Sequence, residues 1–548
     1  MTLTMAFVTW PSDQLIVALV FGYLTAVAYF VTKGYYARRQ FSRLRKQGMP
    51  MPPWSPIFGH LLAFPSLIKM FPKNAPRTYL FGELYKPFVN SDGLLYLDTW
   101  PFGSPILVVV DPAMANQASS PQLDLPKPAI MKAFLDPFTG GGDNLASMNG
   151  SEWKHSRSIF NPGFSANYLL GQISSIVHES SVFVDILKEH AQKGDIFSMD
   201  NAALWFTMDN IGSLALNARF NSQRQYNPLA MAMRSQIEWH TTDDELNPFI
   251  RWNPIRPFIY WRNSRRMNAY ISNQLDKRFN ELRLQGKESA SCSIMDLVLQ
   301  DYITEHPTAE EIDKTFREWA ITQIRLFLFV GHDSTSSTIC YCYYLLSKHP
   351  AALARVRAEH DEVFGADVAN VGTILVNQPH LINKLPYMLA VIKEVLRLFP
   401  PAQGIRYGTP GAFLEDSSGN KYPTEDMNVL IVHPVVHRHP KHWVDADRFI
   451  PERWLVGPED PLYPVKGAWR AFEFGPRNCQ GQALVMLDVS VALVMTARLF
   501  GFHPAYEEWD KLNPKNDIRE VYGERAYQVL SGAMHPADGM PCRVSLRQ

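Results

Sequence analysis

A cysteine set between two glycines at the head of a long apolar run constrains this chain more than any other feature. The stretch is Phe472-Glu473-Phe474-Gly475-Pro476-Arg477-Asn478-Cys479-Gln480-Gly481, and Gln482 to Phe500 reads as an apolar helix. A thiol at a helix mouth is easily ionised, because unpaired N–H groups and the positive end of the helix dipole favour an anion. Gly475 and Gly481 permit positive φ or close backbone approach, as a flat, bulky group resting on the loop requires. Arg477 supplies a cation for an acidic edge of such a group. The competing reading is a small buried hydrophobe in a Gly/Pro turn, the usual fate of an isolated cysteine.

A thiolate for iron, room for a macrocycle and a partner for propionates are together what a haem needs from a protein. The pattern F-x-x-G-x-R-x-C-x-G, carried here by Phe472, Gly475, Arg477, Cys479 and Gly481, closely resembles the haem-thiolate signature of the cytochrome P450 family. The resemblance implies haem b with Cys479 as its axial metal ligand, and those five residues around the cofactor.

Other segments resemble the same family, in family order. Trp153 and Arg157 lie four apart, so both project from one helical face. The resemblance makes them contacts of a haem propionate. Thr308-Ala-Glu-Glu311 is a capping-box pattern, and no proline follows until Pro350, which predicts a helix of up to forty residues. Val330-Gly-His-Asp-Ser-Thr335 interrupts it with polar groups that are costly in an apolar helix unless used. This resembles the A-G-x-[DE]-T-[ST] segment, with Val330 in place of a small residue and Ser334 in place of threonine. The resemblance gives Asp333, Ser334 and Thr335 the catalytic task of passing protons to bound dioxygen. Pro386 to Leu398 is a short helix bounded by prolines. Glu394 and Arg397 within it, with Arg453 of Pro451-Glu-Arg-Trp454, resemble the structural Glu–Arg–Arg network. Arg406 stands where the family often places another propionate contact.

At the other end, Leu15 to Val31 is an uncharged run at the lower limit for spanning a bilayer. Lys33, Arg38, Arg39, Arg43, Arg45 and Lys46 follow it with no acid among them, which puts the rest of the chain in the cytosol. A signal peptide is disfavoured because the basic cluster lies on the wrong side. Gly48 to His60 is proline-rich and reads as a stiff spacer. The expected organisation is therefore an anchor over 1–32, a basic and proline-rich hinge over 33–60, and a haem domain over 61–548. Asn149-Gly-Ser151 is a glycosylation sequon that should stay unmodified in the cytosol.

Between the hinge and the long helix, two short β-rich runs, Gly93 to Asp98 and Pro105 to Val110, predict a hairpin. Asp111-Pro112 then opens a helix. Pro121 to Gly142 reads as a Pro/Gly-rich loop overhanging the substrate cavity, since its glycines follow no strand and match no phosphate-binding pattern. Phe249 to Trp261 reads as an aromatic, proline-broken connection. His433, His437, His439 and His442 share no helical face, because Pro434 and Pro440 intervene, which argues against zinc.

With 53 basic and 53 acidic residues, the chain offers no bulk electrostatic argument for nucleic acid. Cys292, Cys340, Cys342, Cys479 and Cys542 form no CxxC pair, as suits reduced thiols. The fold class expected is mainly α with a smaller β region. The resemblance implies a monooxygenase that inserts one oxygen atom from O2 into a small hydrophobic substrate with NADPH electrons. No flavin or nicotinamide motif is present, so a separate NADPH–cytochrome P450 reductase is implied, in the endoplasmic reticulum membrane. The texture resembles microsomal fungal enzymes of polyketide and other secondary-metabolite pathways. A haem-thiolate isomerase or dehydratase needing no O2, and a non-catalytic haem-binding membrane protein, are the alternatives.

Overall fold

The computed structural model describes residues 12–90, 93–240, 248–285 and 293–547; Cys292 lies outside them. Helices dominate, and the organising one is α7. In chain order the elements used below are helices α1 (Ser12–Lys46), α2 (Pro112–Ala118), α3 (Ala129–Thr139), α4 (Gly150–Phe160), α5 (Met199–Leu216), α6 (Ile255–Gln285), α7 (Lys314–Lys348), α8 (Pro386–Leu398) and α9 (Gln482–Thr496). The strands are β1 (Leu94–Leu97), β2 (Ile106–Val109), β3 (Gly404–Tyr407), β4 (Asn428–Ile431), β5 (Gln528–Ser531) and β6 (Ala533–Pro536).

At 35 residues α7 is about 52 Å long, enough to cross the molecule. It starts later than the sequence pattern predicts. Asp313, not Thr308, is the N-cap, its carboxylate accepting from Phe316 N at 2.9 Å. From Ala320 to Leu346 every residue of α7 is buried except Val330, Gly331 and Ser334. A helix apolar on all sides belongs in a core, and α7 packs against α5, α3 and β6 there.

The predicted hairpin forms, with Leu94 opposite Val109, and β2 continues parallel to β4 to give the sheet order β1-β2-β4-β3. Arg406 lies on β3 opposite Val429. Two expectations change. Ala129 to Thr139 is helical: Pro128 and Gly140 flank α3 as its N- and C-caps instead of dissolving it. Likewise Ile255 to Trp261 belong to the first turns of α6, so Pro257 lies where a helix tolerates it.

The apolar run and the basic stretch after it are one helix. In α1 the residues from Ile16 to Val31 are exposed, and it is the one helix among the described residues long and apolar enough to cross a membrane. The same helix continues through the basic residues and docks on the body. Phe41 and Leu44 are buried in the core around the sheet, and Arg38 pairs with buried Asp98. The segment after residue 33 is thus helical to Lys46, with the proline-rich stretch following it.

Candidate active site

The Cys479 loop is shaped by its own backbone. Gly475 has φ +82°, and a β-carbon there would stand 2.4 Å from Ser119 O, so no other residue fits. The turn returns Cys479 N to donate to Phe472 O at 2.8 Å, and Phe472 itself is buried against Trp469. Gly481, the N-cap of α9, has an ordinary φ of −79°; its role is proximity, since a β-carbon would lie 3.9 Å from Cys479 Sγ. The thiol is less readily ionised than its helix-mouth position predicts. Although the thiol itself is open to solvent, the protein packed around it pushes it up, against the N–H groups of Gly481 and Gln482 and the charge of Arg157, which lower it.

Arg157 projects from α4 onto this loop, donating to Asn478 O at 3.0 Å and to Asn478 Oδ1 at 2.8 Å. Trp153, one turn earlier, is buried beneath two guanidinium groups, Arg477 at 4.3 Å and Arg157 at 5.6 Å from its ring. The predicted pair therefore converges on the Cys479 loop. Arg477 donates to Met148 O at 2.6 Å and to Asn149 Oδ1 at 3.2 Å. That asparagine is the one in the sequon, and its side chain is already engaged.

A corner of excess positive charge lies beside the loop. Arg406 is 1% exposed; its Nη1 donates to its neighbour's carbonyl, Ile405 O, while its buried Nη2 has no hydrogen-bond partner. Lys127, which sequence patterns did not single out, donates to the same carbonyl at 3.3 Å. Burial, then Arg406 and Arg477, push the Lys127 amine well down. Burial, with Arg406 and Arg157, lowers Arg477 to about 10. A buried N–H without an acceptor and three mutually repelling cations are costly unless anions arrive. The two acid groups of a haem fit that requirement, and Cys479 fits its iron.

On α7, Val330 is 41% exposed and Ser334 half-buried, so one face of an otherwise buried helix is open. Ser334 Oγ donates to Val330 O at 3.1 Å. Thr335 is fully buried with its hydroxyl returned to Gly331 O at 2.8 Å. Asp333 is turned onto the β5–β6 hairpin. Its Oδ1 lies 3.2 Å from His535 Nε2, its Oδ2 accepts from Ala533 N, and His535 Nδ1 meets Asp200 Oδ1 at 2.8 Å. Burial works against the charge, but His535 holds Asp333 below the usual carboxylate range.

Glu394, Arg397 and Arg453 meet as the sequence predicts, but wholly buried. Glu394 accepts from Arg397 Nε at 2.9 Å and Nη2 at 2.8 Å, and from Arg453 Nε at 3.0 Å. The four histidines take separate partners. His433 faces Glu473 and Ala402 O, His437 lies between Arg397 O and Arg470 N, His439 meets Tyr85, and His442 meets Asp111.

Residues 49–527 match the family model for cytochrome P450. The cytochrome P450 monooxygenase polC of Polytolypa hystricis is 40% identical over 95% of this chain and 94% of its own. The cytochrome P450 monooxygenase acrF of Aspergillus aculeatus is 32% identical over 86% and 96%. The crystal structure of a cytochrome P450, CYP102L1, superposes with a TM-score of 0.70, covering 91% of this chain and 99% of that one at 19% identity. The chain belongs to the cytochrome P450 family and is a haem-thiolate monooxygenase.

Proposed function

We propose that Cys479 supplies the thiolate and that Arg406, Lys127 and Arg477 hold the two acid groups of haem b, with Arg157 and Trp153 fixing the loop that carries the ligand. The observation that carries this is the convergence of an open thiol with a buried, unpartnered Arg406 N–H. Bound haem supplies reductive activation of O2 and insertion of one oxygen atom into a substrate. The protein positions, excludes water and manages protons. Ser334 presents its hydroxyl on the open face of α7, so proton handling falls to Ser334 Oγ. Thr335 packs behind it, and Asp333 holds that turn against the hairpin through His535. Val330 narrows the same face.

Electrons come from NADPH through a separate membrane-bound reductase. The apolar half of α1 anchors the protein in the endoplasmic reticulum, with the haem domain on the cytosolic side, as its basic flank favours. Fungal cytochrome P450 monooxygenases at 40% and 32% identity support a place in secondary-metabolite biosynthesis, for which the substrate we propose is small and hydrophobic.

The test is spectral and then chemical. The reduced protein with carbon monoxide should give the red-shifted Soret band of a thiolate-ligated haem. Cys479→Ala should lose it, and Cys340→Ala and Cys342→Ala should keep it. Microsomes bearing the protein and a fungal reductase, incubated with a metabolite library, should then yield products heavier by one oxygen atom only when NADPH is present. Products formed without NADPH would establish the isomerase reading instead.

A further inference from the structure

Glu473 stands six residues before Cys479, in the left-handed region at φ +61°. A residue with a β-carbon is uncommon in that conformation. Here the carboxylate gathers four partners from four parts of the chain. Oε1 accepts from Arg470 Nε at 2.8 Å and lies 3.3 Å from His433 Nε2. Oε2 accepts from Ser119 Oγ at 2.9 Å and lies 3.5 Å from Arg406 Nη2. Despite burial, His433, Arg470 and Arg406 hold this carboxyl far below the usual range. Its backbone neighbour is Phe472, whose carbonyl receives the N–H of Cys479. Glu473 therefore bears on the ligand loop and on the cationic corner at once.

The distance to Arg406 is informative. At 3.5 Å the two charges pair, yet Nη2 makes no hydrogen bond to the carboxylate. The guanidinium is held near the carboxylate by charge while Nη2 keeps its N–H bonds unused. Among the described residues Glu473 is the acid that offsets the Arg406 charge.

We propose that Glu473 is a positioning residue for the cofactor, one that aims Arg406 at a haem acid group and sets the reduction potential of the iron. This rests on the assignment of Arg406 as a haem-acid contact. A fixed negative charge in a buried site disfavours adding an electron to the iron. Removing it leaves Arg406 and Arg470 uncompensated, which favours the reduced form.

The experiment is a spectroelectrochemical titration of the full-length, haem-loaded protein. Glu473→Gln should shift the ferric–ferrous equilibrium roughly tenfold toward the reduced form, a rise of about 59 mV for one electron. Ser119→Ala removes a neutral hydroxyl that donates to the same carboxylate and accepts from Arg470 Nη2 at 2.7 Å; it changes no charge and should leave the midpoint in place. An unchanged midpoint in E473Q overturns the proposal. So does an equal shift in S119A, which would make packing the cause. Should E473Q fail to retain haem, Glu473→Asp is read instead: drawing the charge back from Arg406 should raise the midpoint by a smaller factor, and a midpoint at or below the parent's overturns the proposal. Arg406→Gln separates the two layers. Unchanged haem content and midpoint in R406Q would remove the Arg406 assignment itself, whereas a lowered midpoint there beside an unmoved E473Q removes Glu473 alone.

Discussion

Replacing Glu394 by glutamine should destabilise the protein by about 3 to 5 kcal/mol, the range for breaking a buried ion pair from one side. Glu394, Arg397 and Arg453 are all 0% exposed. The carboxylate accepts five bonds: two from Arg397, one from Arg453, one from Ile450 N at 3.0 Å and one from Trp454 Nε1 at 3.1 Å. Glutamine keeps the shape but has one accepting oxygen. Whichever way it turns, at least two donors then face an NH2 group, and two buried guanidinium charges lose their counter-charge. Arg397 also donates to the carbonyls of His437, Ala446 and Arg448, so loosening it frees the segment leading to the Cys479 loop. Against a net stability of about 5 to 15 kcal/mol the loss is large. The assay is urea unfolding of the haem-loaded protein, followed by tryptophan fluorescence and by haem absorbance. Both midpoints should fall together. Adding Arg453→Met to Glu394→Gln should recover part of the loss, because one stranded charge goes with it. Unchanged midpoints in the single variant, or a double variant worse by the full sum, would refute the reasoning.

Ser334→Ala should leave haem content intact but raise hydrogen peroxide released per NADPH severalfold, while Thr335→Ala should not, since that hydroxyl is buried and returned to Gly331 O; equal uncoupling in both would dissolve the distinction. Deleting residues 2–32 should free the protein from microsomes with its fold intact. Deleting 2–46 should cost about 3 to 6 kcal/mol more, the burial of Phe41 and Leu44, read as a lower melting temperature of the second truncation. His535 is raised to about 10: burial lowers it, but Asp200 and Asp333 outweigh that. A raised folded pKa gives stability that is complete below the unfolded value near 6.5 and is lost as pH climbs through 10. Melting temperature should therefore fall between those limits, and His535→Gln should flatten the fall; a parallel profile in H535Q would count against the triad.

What could be read from the sequence followed from local chemistry. Pro386 and the Pro400-Pro401 pair bound α8, and short β-rich runs on either side of a Pro/Gly turn form β1 and β2, because each signal acts on its own neighbours. Where two local signals compete, composition misleads: the prolines and glycines of 121–142 suggest a loop, yet Pro128 and Gly140 stand just outside the two ends of α3, and Pro137 lies within its last turn. The cap at Thr308 lost to Asp313 for the same kind of reason, a matter of which side chain reaches a free N–H. Residues brought in from a distance left no such trace. Lys127 and Ser119 fall in no motif, and only folding brings Lys127 to the Ile405 carbonyl and Ser119 to Glu473, which the motif stretch contains without assigning it a partner. One long-range feature was nonetheless foreshadowed. An acid within the apolar α7 demands a partner, and Asp333 has one, although it is a histidine in the C-terminal hairpin. The same demand, applied to the corner where Lys127, Arg406 and Arg477 repel one another, is what requires an anion there. Buried charge left unbalanced by the protein is what an anionic cofactor would satisfy, and Glu473, which balances part of it, is where we propose that the chain tunes the reduction potential.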